Sequence, residues 1–431
     1  MAGIIALAFN LRAAITSLPP LFPELSARLH LSPVALAGLA AVPVLCFGLF
    51  SGVAAPLSRR FGEERVLGCA VILIAAGLLL RGAAPAVLLF PGTVLAAGSI
   101  AMMNVLLPSL VKRRRPDQAG LLVGLYLLSL SAGAIAGSLL AVPAFTTAGG
   151  HNGAVRLALG LWALPALVAA VAWLPQLRFR ALTGTAGSGA AGSSVVGSGA
   201  AGSSVVGSGA AGSGMAGSGL ARRGAAGHQG VLAMGRYLLA WQVTAFFGLQ
   251  SLSYYAALSW FPTMFRDRGA SPVHAGDLLA LMNLGNAVTA MLLPVLAHRA
   301  RDQRVLVACA MVATSAGLAG AAFGPLGSAP AWMLLLGLGQ GATLGLGIFI
   351  TMARAPDPAT AASLSGFAQG AGYLVASTGP LLVGLLHSAT GGWDVPVGAL
   401  LGVAVLQLIT GWLAGRDLTV TRPRGHPSEP R

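Results

Sequence analysis

The chain has 431 residues, of which 56% are hydrophobic and 9% are charged, and its mean hydropathy is +0.80. A soluble domain usually carries about 25% charged residues, so this composition excludes an ordinary water-soluble protein and indicates an integral membrane protein. The formal net charge is +15, and its meaning depends on where the basic residues lie.

Twelve apolar segments, each long enough to cross a bilayer as a helix, follow one another along the chain. A helix needs about 20 mostly apolar residues to span the roughly 30 Å hydrocarbon core. These runs are continuously apolar, whereas membrane strands alternate over about ten residues. We therefore predict an all-α membrane protein with twelve transmembrane helices. The predicted spans are 2–23, 34–57, 66–84, 87–111, 119–142, 154–174, 236–261, 273–297, 304–324, 330–353, 359–386 and 394–414.

Most basic residues fall on one side of these spans. Of the 26 Lys and Arg residues, 20 follow even-numbered spans or lie in the central linker or the tail, five lie on the other side, and Arg12 lies inside the first span. The positive-inside bias then predicts that both termini and the linker are cytoplasmic, in the inner (cytoplasmic) cell membrane. Topology accounts for these charges, so no nucleic-acid partner is expected.

A segment rich in glycine, serine and alanine divides the chain. Its ten-residue unit GSGAAGSSVV at 187–196 recurs at 197–206, and this composition is typical of a flexible linker. The predicted organisation is a six-helix half at 1–174, a linker at 175–235, a second six-helix half at 236–415 and a cytoplasmic tail at 416–431.

The two halves carry matching sequence patterns. A shift of 239 residues places the FP of 22–23 on the FP of 261–262, and the SPV of 32–34 on the SPV of 271–273. Both halves start on the same side of the membrane, so they are predicted to be parallel repeats. This arrangement resembles that of major facilitator transporters, whose substrate sites lie near the midplane.

The loop after the second span adds to this resemblance. Gly52, Arg59, Gly62 and Arg65 are similar to the glycine and basic pattern of the major facilitator loop between helices 2 and 3, and the resemblance implies a gating role. Ser58 stands where that motif usually has an aspartate. A short loop of glycine and arginine also serves simply to hold helix ends at the lipid surface.

Only one charged residue, Arg12, lies deep inside a predicted span. Arginine at a helix centre costs roughly 2.5 to 3.5 kcal/mol on insertion scales, and such residues normally face a bundle interior or a wet cavity. No Asp or Glu lies at the same depth in any span, so we predict that Arg12 binds a transported anion. The alternative is that Arg12 braces a kinked helix by bonding carbonyls freed near Pro19 and Pro20.

The neighbours of Arg12 divide between two helix faces. Thr16 lies about 40° around the helix from Arg12 and is expected to face the same cavity. Asn10 and Ser17 lie on a nearly opposite face, where they are expected to bond neighbouring helices. For Asn10, contact with the substrate is the second interpretation.

Three stretches of the first half resemble one particular transporter family. They are the pattern N-x-R-x-x-x-T-S-x-x-P at 10–20, LPS at 107–109 followed by KRR at 112–114, and WALP at 162–165. They resemble helices 1, 4 and 6 of the cyanate and nitroimidazole transporters (the CynX/NimT family) of the major facilitator superfamily. The resemblance implies secondary active transport of a small anionic or polar solute, such as cyanate or a nitroimidazole-like heterocycle.

Polar side chains in the spans of both halves are further candidates for a central site. Some pairs share a helix face because they lie three or four residues apart. Each of these side chains is alternatively a hydrogen-bonding group between helices. The predicted substrate contacts, besides Arg12, Thr16 and Asn10, are Asn104, Gln250, Tyr254, Asn283, Asn286, Gln340, Gln369 and Tyr373.

Several other functions are less consistent with the sequence. It has no HExxH pair, P-loop or paired deep carboxylates, so neither an enzyme nor a metal or other cofactor is expected. Cys46, Cys69 and Cys309 show no disulfide or zinc spacing. The runner-up is a multidrug or metabolite exporter of the same fold. A small-molecule substrate and the lipid bilayer are the expected partners, and a single chain suffices.

Overall fold

The structure, a computed structural model, describes residues 2–83, 86–114, 119–183, 231–300 and 302–420. Most of the predicted linker, 184–230, and the end of the tail, 421–431, lie outside these ranges. Regular secondary structure in the described ranges is entirely helical. The helices are α1 (Ala2–Thr16), α2 (Phe22–Leu29), α3 (Pro33–Phe61), α4 (Glu63–Gly82), α5 (Leu89–Arg114), α6 (Ala119–Thr147), α7 (Asn152–Gly160), α8 (Ala163–Thr183), α9 (Leu238–Asp267), α10 (Pro272–Arg299), α11 (Arg304–Phe323), α12 (Ala329–Ala353), α13 (Pro358–Ala376), α14 (Thr378–Thr390) and α15 (Asp394–Ala414).

The predicted linker is shorter at both ends in the structure. Helix α8 continues to Thr183 instead of ending at 174, and a 3₁₀ turn at Val231–Arg236 precedes α9. The side chain of Met234 in this turn is fully buried in a small apolar cluster with Leu364 of α13 and Val420. The start of the second half is therefore anchored by packing before its first membrane helix begins.

Three predicted spans consist of two helices each, unlike the continuous helices expected at 2–23, 154–174 and 359–386. The breaks precede Pro19, Pro165 and Pro380. Proline has no backbone N–H and clashes with the carbonyl four residues earlier, so the helical ladder is interrupted there. In the first span, the N–H of Leu18 turns back to the carbonyl of Ile15 at 3.3 Å, which starts the 3₁₀ turn Pro19–Leu21 between α1 and α2.

Eleven helical segments of the described chain are long and apolar enough to cross a membrane. Helix α9 is 30 residues long but is less apolar than these eleven segments. It carries Gln250, Ser253 and Tyr254 within its length, and 21 of its 30 residues are buried. Helix α9 tolerates more polar side chains than these segments because most of its surface faces neighbouring helices and not lipid. With α9 included, the described residues contain the twelve predicted spans.

The packing of the helices repeats between the halves. In the first half α3 packs on α5, α4 on α5, and the first span on α6. In the second half the corresponding pairs are α10 with α12, α11 with α12, and α9 with α13. The contacts between the halves also correspond, because α6 meets α10 while α3 meets α13 and α14. This confirms two parallel six-helix repeats.

The two ends of the bundle differ in how the halves meet. We call the end where α8 finishes and α9 begins the linker side, and the opposite end the far side. On the far side Arg266 forms an ion pair with Glu24 at 2.6 Å, and the rings of Phe22 and Trp260 pack edge to face with centroids 5.7 Å apart. These contacts join the first half to the second, so the seam between them is closed on the far side.

The loop between α3 and α4 turns at a glycine. Gly62 has φ 87° and ψ 142°, a backbone conformation that side chains with a Cβ rarely adopt. Arg59 and Arg65, on either side of it, are exposed, and nothing lies within 4 Å of a Cβ built on Gly52. The turn accounts for Gly62 through its geometry alone, and the gating role of these four residues stays a prediction.

A buried arginine braces the broken first span. Arg81, in the last turn of α4, is 3% exposed and donates from Nη1 to the carbonyl of Ala14 at 2.9 Å. Its Nη2 lies 3.5 Å from the Ser17 hydroxyl oxygen. The carbonyl of Ala14 has lost its helical donor because the N–H of Leu18 bonds Ile15 instead, and besides Arg81 it accepts only a long bond from the Ser17 hydroxyl at 3.4 Å among the described residues. Arg81 therefore satisfies a carbonyl that the break leaves free.

We predict that Arg81→Met lowers the stability of the folded protein by about 1 to 3 kcal/mol, because it removes the charged donor of the buried Ala14 carbonyl and leaves only the long 3.4 Å bond from the Ser17 hydroxyl. The measurement is the midpoint of thermal unfolding in detergent. Arg28→Met, at an exposed arginine of α2 on the same side, is the control and should unfold at the wild-type temperature. Equal midpoints for the two variants would contradict the bracing role.

Candidate functional site

A cavity of about 150 Å³ lies between the two halves. A buried water needs roughly 10 to 15 Å³ of such space, so the cavity has room for a solute of about ten non-hydrogen atoms. The first half contributes α1, α3, α5 and α6, and the second half contributes α9, α10, α12 and α13. The polar side chains of its wall are Arg12, Asn104, Tyr126, Ser131, Tyr254, Tyr255, Asn283, Asn286, Gln369 and Tyr373.

The cavity extends from the middle of the bundle toward the linker side. On α10 its wall runs from Asn283 to Pro294, and on α12 it includes Leu344 and Ile348, all in the parts of these helices that approach the linker side. The far-side seam described above closes the other end. The structure is thus the form in which the central cavity is shut off from the far side.

Arg12 is the one cationic side chain among the described residues that line the cavity. It is half-buried, and its guanidinium carbon lies 5.8 Å from the centroid of the Tyr254 ring. This is the geometry of a cation–π contact. The ring supports the charge from one side without neutralising it.

No carboxylate of the described chain pairs with Arg12. The titratable side chains that line the cavity with it are Tyr126, Tyr254, Tyr255 and Tyr373, and tyrosine is neutral near pH 7. A charge removed from water is stabilised when it is paired or hydrogen-bonded. Arg12 therefore retains the capacity to bind an anion or another strong acceptor at the cavity surface.

The bracing alternative for a deep arginine is realised in this protein by a different residue. Arg81, and not Arg12, bonds the Ala14 carbonyl that the break in the first span sets free. The kink therefore has its donor without Arg12. This leaves the cavity as the place where the Arg12 guanidinium finds its polar contacts.

A second donor, in a residue of the cavity wall, has no partner in the described chain. The Nδ2 of Asn286 is buried and makes no hydrogen bond, while Asn286 itself lines the cavity wall. A buried amide donor without an acceptor costs free energy unless a ligand or water supplies one. Arg12 and Asn286 together offer donors from both halves.

Four of the other five predicted residues on the cavity wall have hydrogen-bond partners inside the protein. Asn104 accepts a hydrogen bond from the Tyr126 hydroxyl at 3.5 Å, and Gln369 donates to the Ser365 hydroxyl at 3.0 Å. Asn283 accepts from the Tyr254 hydroxyl at 2.8 Å. These side chains shape the wall and leave less unsatisfied donor capacity than Arg12 and Asn286.

Aromatic rings form much of the rest of the wall. Phe47 packs edge to face on Tyr255 and Tyr373, at centroid distances of 6.3 and 5.6 Å, and Phe247 packs on Tyr373 at 5.4 Å. Tyr254 and Tyr255 meet at 5.2 Å. Such rings present flat apolar faces and polar edges, so the cavity combines donors with surfaces suited to a small planar solute.

Two of the predicted substrate contacts on α1 lie outside the cavity wall. Thr16 is fully buried, and its hydroxyl donates to the Arg12 carbonyl at 3.1 Å. It faces α6, where a Cβ on Gly137 would approach its hydroxyl oxygen to 2.2 Å. Asn10 donates to the Ala6 carbonyl of its own helix at 2.7 Å. The prediction that Thr16 shares the cavity with Arg12 is corrected, because close packing against α6 takes up its face.

Gln250 and Gln340 also lie outside the cavity wall. The Gln250 amide lies 3.4 Å from two Gln340 oxygens, and Gln340 donates to the Ser253 hydroxyl at 2.9 Å. Both glutamines are buried between α9 and α12. These two residues therefore hydrogen-bond one helix to another, which is the alternative role stated above for polar side chains in the spans.

Some wall residues were not among the predicted contacts. They include Phe47, Tyr126, Phe247 and Tyr255. The sequence does contain a signal for two of them, because it has only five tyrosines and four of these line the cavity. The phenylalanines carry no such signal, since apolar rings are common in any membrane helix.

The fold and the site define a membrane transporter of the two-repeat type, with a central cavity between halves that close on one side. The sequence matches the profile of the Major Facilitator Superfamily over residues 4–380, and the chain belongs to that superfamily. This is a superfamily of transporters and not of enzymes.

Proteins with known or assigned roles resemble the chain over nearly its whole length. It is 37% identical to the 2-nitroimidazole transporter of Escherichia coli (strain K12), covering 97% of this chain and 95% of that protein. It is 28% identical to the cyanate transport protein CynX of the same organism, covering 90% of each chain. The crystal structure of a D-xylose-proton symporter has the same fold, with a TM-score of 0.66, 15% identity and coverage of 96% and 97%. The predicted superfamily and the predicted family resemblance are confirmed.

We predict that a cysteine on the cavity wall reacts faster with a small water-soluble thiol reagent than a cysteine on the buried face of α1 that lies outside the wall. Asn286→Cys should react at least about ten-fold faster than Asn10→Cys, because modification requires an accessible thiolate. Both would be made in protein whose three native cysteines are replaced by alanine. Equal rates would show that Asn10 is as accessible as the cavity.

Proposed function

We propose that the chain is a secondary active transporter of a small anionic or acceptor-rich polar solute, such as cyanate or a nitroimidazole-like heterocycle. The observation that carries the proposal is a cavity whose free groups are donors. Arg12 has no carboxylate partner among the described residues, and the Asn286 amide has no acceptor. A solute with negative or strongly accepting oxygen or nitrogen atoms satisfies both.

The named relatives support this class of solute. The chain resembles a 2-nitroimidazole transporter and a cyanate transport protein over most of its length. A nitro group offers two acceptor oxygens on a flat ring, and the aromatic wall around Phe47, Tyr255 and Tyr373 suits such a ring. Cyanate is smaller and would depend mainly on the guanidinium.

The proposed mechanism is alternating access. In the present form the far-side seam is closed by the Glu24–Arg266 ion pair and the Phe22–Trp260 contact. The two six-helix halves rock around the central cavity, so that the solute held at Arg12 meets one side of the membrane and then the other. The distribution of basic residues supports a cytoplasmic linker side, in the cytoplasmic membrane, and a single chain supplies the whole cavity.

The cavity also bears on the alternative of a multidrug or metabolite exporter. Carriers of cationic drugs need negative or neutral polar walls, whereas the described wall has a cation and no carboxylate. A positive solute would be repelled by Arg12 in this partly desolvated space. The arrangement thus favours a small anion or a neutral acceptor over a bulky cation.

We predict that Arg12→Ala raises the dissociation constant of the solute about 10- to 150-fold, which is the range for losing a hydrogen bond to a charged group. Arg12→Lys should recover only part of the affinity, because it keeps the charge and loses the planar fork. Binding is read as ligand-dependent thermal stabilisation of detergent-purified protein, with 2-nitroimidazole, cyanate and bulky cationic drugs as probes. Uptake into sealed vesicles then tests transport.

Arg28→Ala, at an exposed arginine outside the cavity, is the control for the loss of one positive charge and should bind as wild type. Stabilisation by anions or nitroaromatics that vanishes in Arg12→Ala would support the proposal. Equal stabilisation of wild type and Arg12→Ala, or a response to cationic drugs alone, would contradict it and favour the exporter.

A further inference from the structure

Three side chains form a chain of hydrogen bonds at the far end of the cavity. The Tyr254 hydroxyl donates to Oδ1 of Asn283 at 2.8 Å. The Nδ2 of Asn283 donates to the Ser138 hydroxyl at 3.1 Å. Asn283 and Ser138 are 3% and 0% exposed, so water does not compete for these bonds. We call this chain the Tyr254–Asn283–Ser138 relay.

The relay crosses between the two halves. Ser138 lies on α6 of the first half, whereas Asn283 lies on α10 of the second. The same two helices make close backbone contact nearby, because a Cβ on Gly276 would approach the Ser138 carbonyl oxygen to 2.7 Å. The relay therefore lies where the cavity ends and the closed far-side seam begins.

One end of the relay touches the proposed binding group. The Tyr254 ring lies under the Arg12 guanidinium at 5.8 Å, and both residues line the cavity. An anion bound to Arg12 competes with the ring for the guanidinium charge, since both are its electrostatic partners. A shift of Tyr254 then acts directly on its hydrogen bond to Asn283.

Each partner of the bond between the halves has a second bond within its own helix. Asn283 Nδ2 also donates to the Leu279 carbonyl at 3.1 Å, and the Ser138 hydroxyl donates to the Ala134 carbonyl at 3.0 Å. When the halves separate, neither side chain is stranded without a partner. The bond can therefore break and reform at low cost, as a switch requires and a permanent structural bond does not.

We propose that the Tyr254–Asn283–Ser138 relay couples occupancy of the Arg12 site to opening of the far-side seam. Asn283 and Ser138 are then positioning residues. They act through the hydrogen bond that joins the two halves. This inference rests on the proposed function for the identity of the occupant. Its effect on the seam is testable without any ligand.

The test measures the distance between the halves on the far side. Spin labels are attached to cysteines at Val34 and Val273, which occupy matching positions at the starts of α3 and α10 and are 58% and 43% exposed. The three native cysteines are replaced by alanine. Ser138→Ala removes the bond between the halves together with the bond of the Ser138 hydroxyl to its own helix. Tyr254→Phe removes the first link while keeping the ring under Arg12.

Ser129→Ala is the matched control. Ser129 lies on the same helix as Ser138, is 8% exposed, and donates to the Ile5 carbonyl at 2.6 Å. That bond joins two helices of one half, so its loss should leave the distance between the halves unchanged. The control thus separates a general effect of removing a buried serine hydroxyl from an effect on the seam.

We expect Ser138→Ala and Tyr254→Phe, without ligand, each to raise the ratio of long to short distances roughly five-fold, as for the loss of one buried hydrogen bond. Arg12→Ala should shift this ratio in the wild-type background and add nothing to Tyr254→Phe, because the relay is already cut there. A wild-type distribution in either relay variant, an equal shift in Ser129→Ala, or additive effects of Arg12→Ala and Tyr254→Phe would overturn the proposal.

Addition of 2-nitroimidazole or cyanate separates this inference from the proposed function. A probe that binds should lengthen the distance between the labels in wild type and leave the distance in Tyr254→Phe unchanged. If a probe binds wild type and the distance stays the same, the relay is overturned. If neither probe stabilises the wild-type protein, the proposed substrate class is wrong, while the ligand-free distances still decide the relay.

Discussion

The guanidinium of Arg12 is a charge held between two halves of a membrane protein, and much of the central architecture can be understood from how that charge is tolerated. A carboxylate at the same depth would neutralise it and close the site. Instead the wall supplies the ring of Tyr254 and three other tyrosines, which are neutral near pH 7. These groups lower the cost of the charge without satisfying it, so the capacity to bind remains. Solvation from the open cavity completes the balance.

A second constraint, the need to satisfy every backbone group inside lipid, explains features that have nothing to do with the solute. Prolines divide three spans, and a carbonyl that such a break frees inside lipid needs another donor from the protein. At the first break a buried arginine from α4 supplies the donor. Two arginines at the first span, Arg81 and Arg12, thus have separate tasks. One maintains the bend, and the other faces the cavity.

The sequence predicted the fold because hydropathy, charge bias and the internal repeat all operate at the scale of whole helices. It also singled out Arg12, since a deep charge stands out in an apolar span. The helical wheel gave the wrong neighbour for Thr16, because angles around one helix do not specify where the other helices pack. Gly137 has no side chain, so α6 packs closely against the face of α1 that carries Thr16. Gln250 and Gln340 look like Asn286 in sequence, yet they bond each other across α9 and α12. Only the packing of the helices shows whether a polar side chain bonds another part of the protein or remains available to a ligand.

The absence of a carboxylate beside Arg12 in the described wall also has an electrical consequence for the proposed transport cycle. With a monovalent anion bound, the central site carries no net charge, whereas the empty site carries one positive charge. A membrane voltage does work of about 2.3 kcal/mol per elementary charge for each 100 mV. It therefore acts on the return of the empty carrier and leaves the loaded step almost untouched. One uncompensated side chain thereby makes the direction of net movement sensitive to the polarity of the membrane.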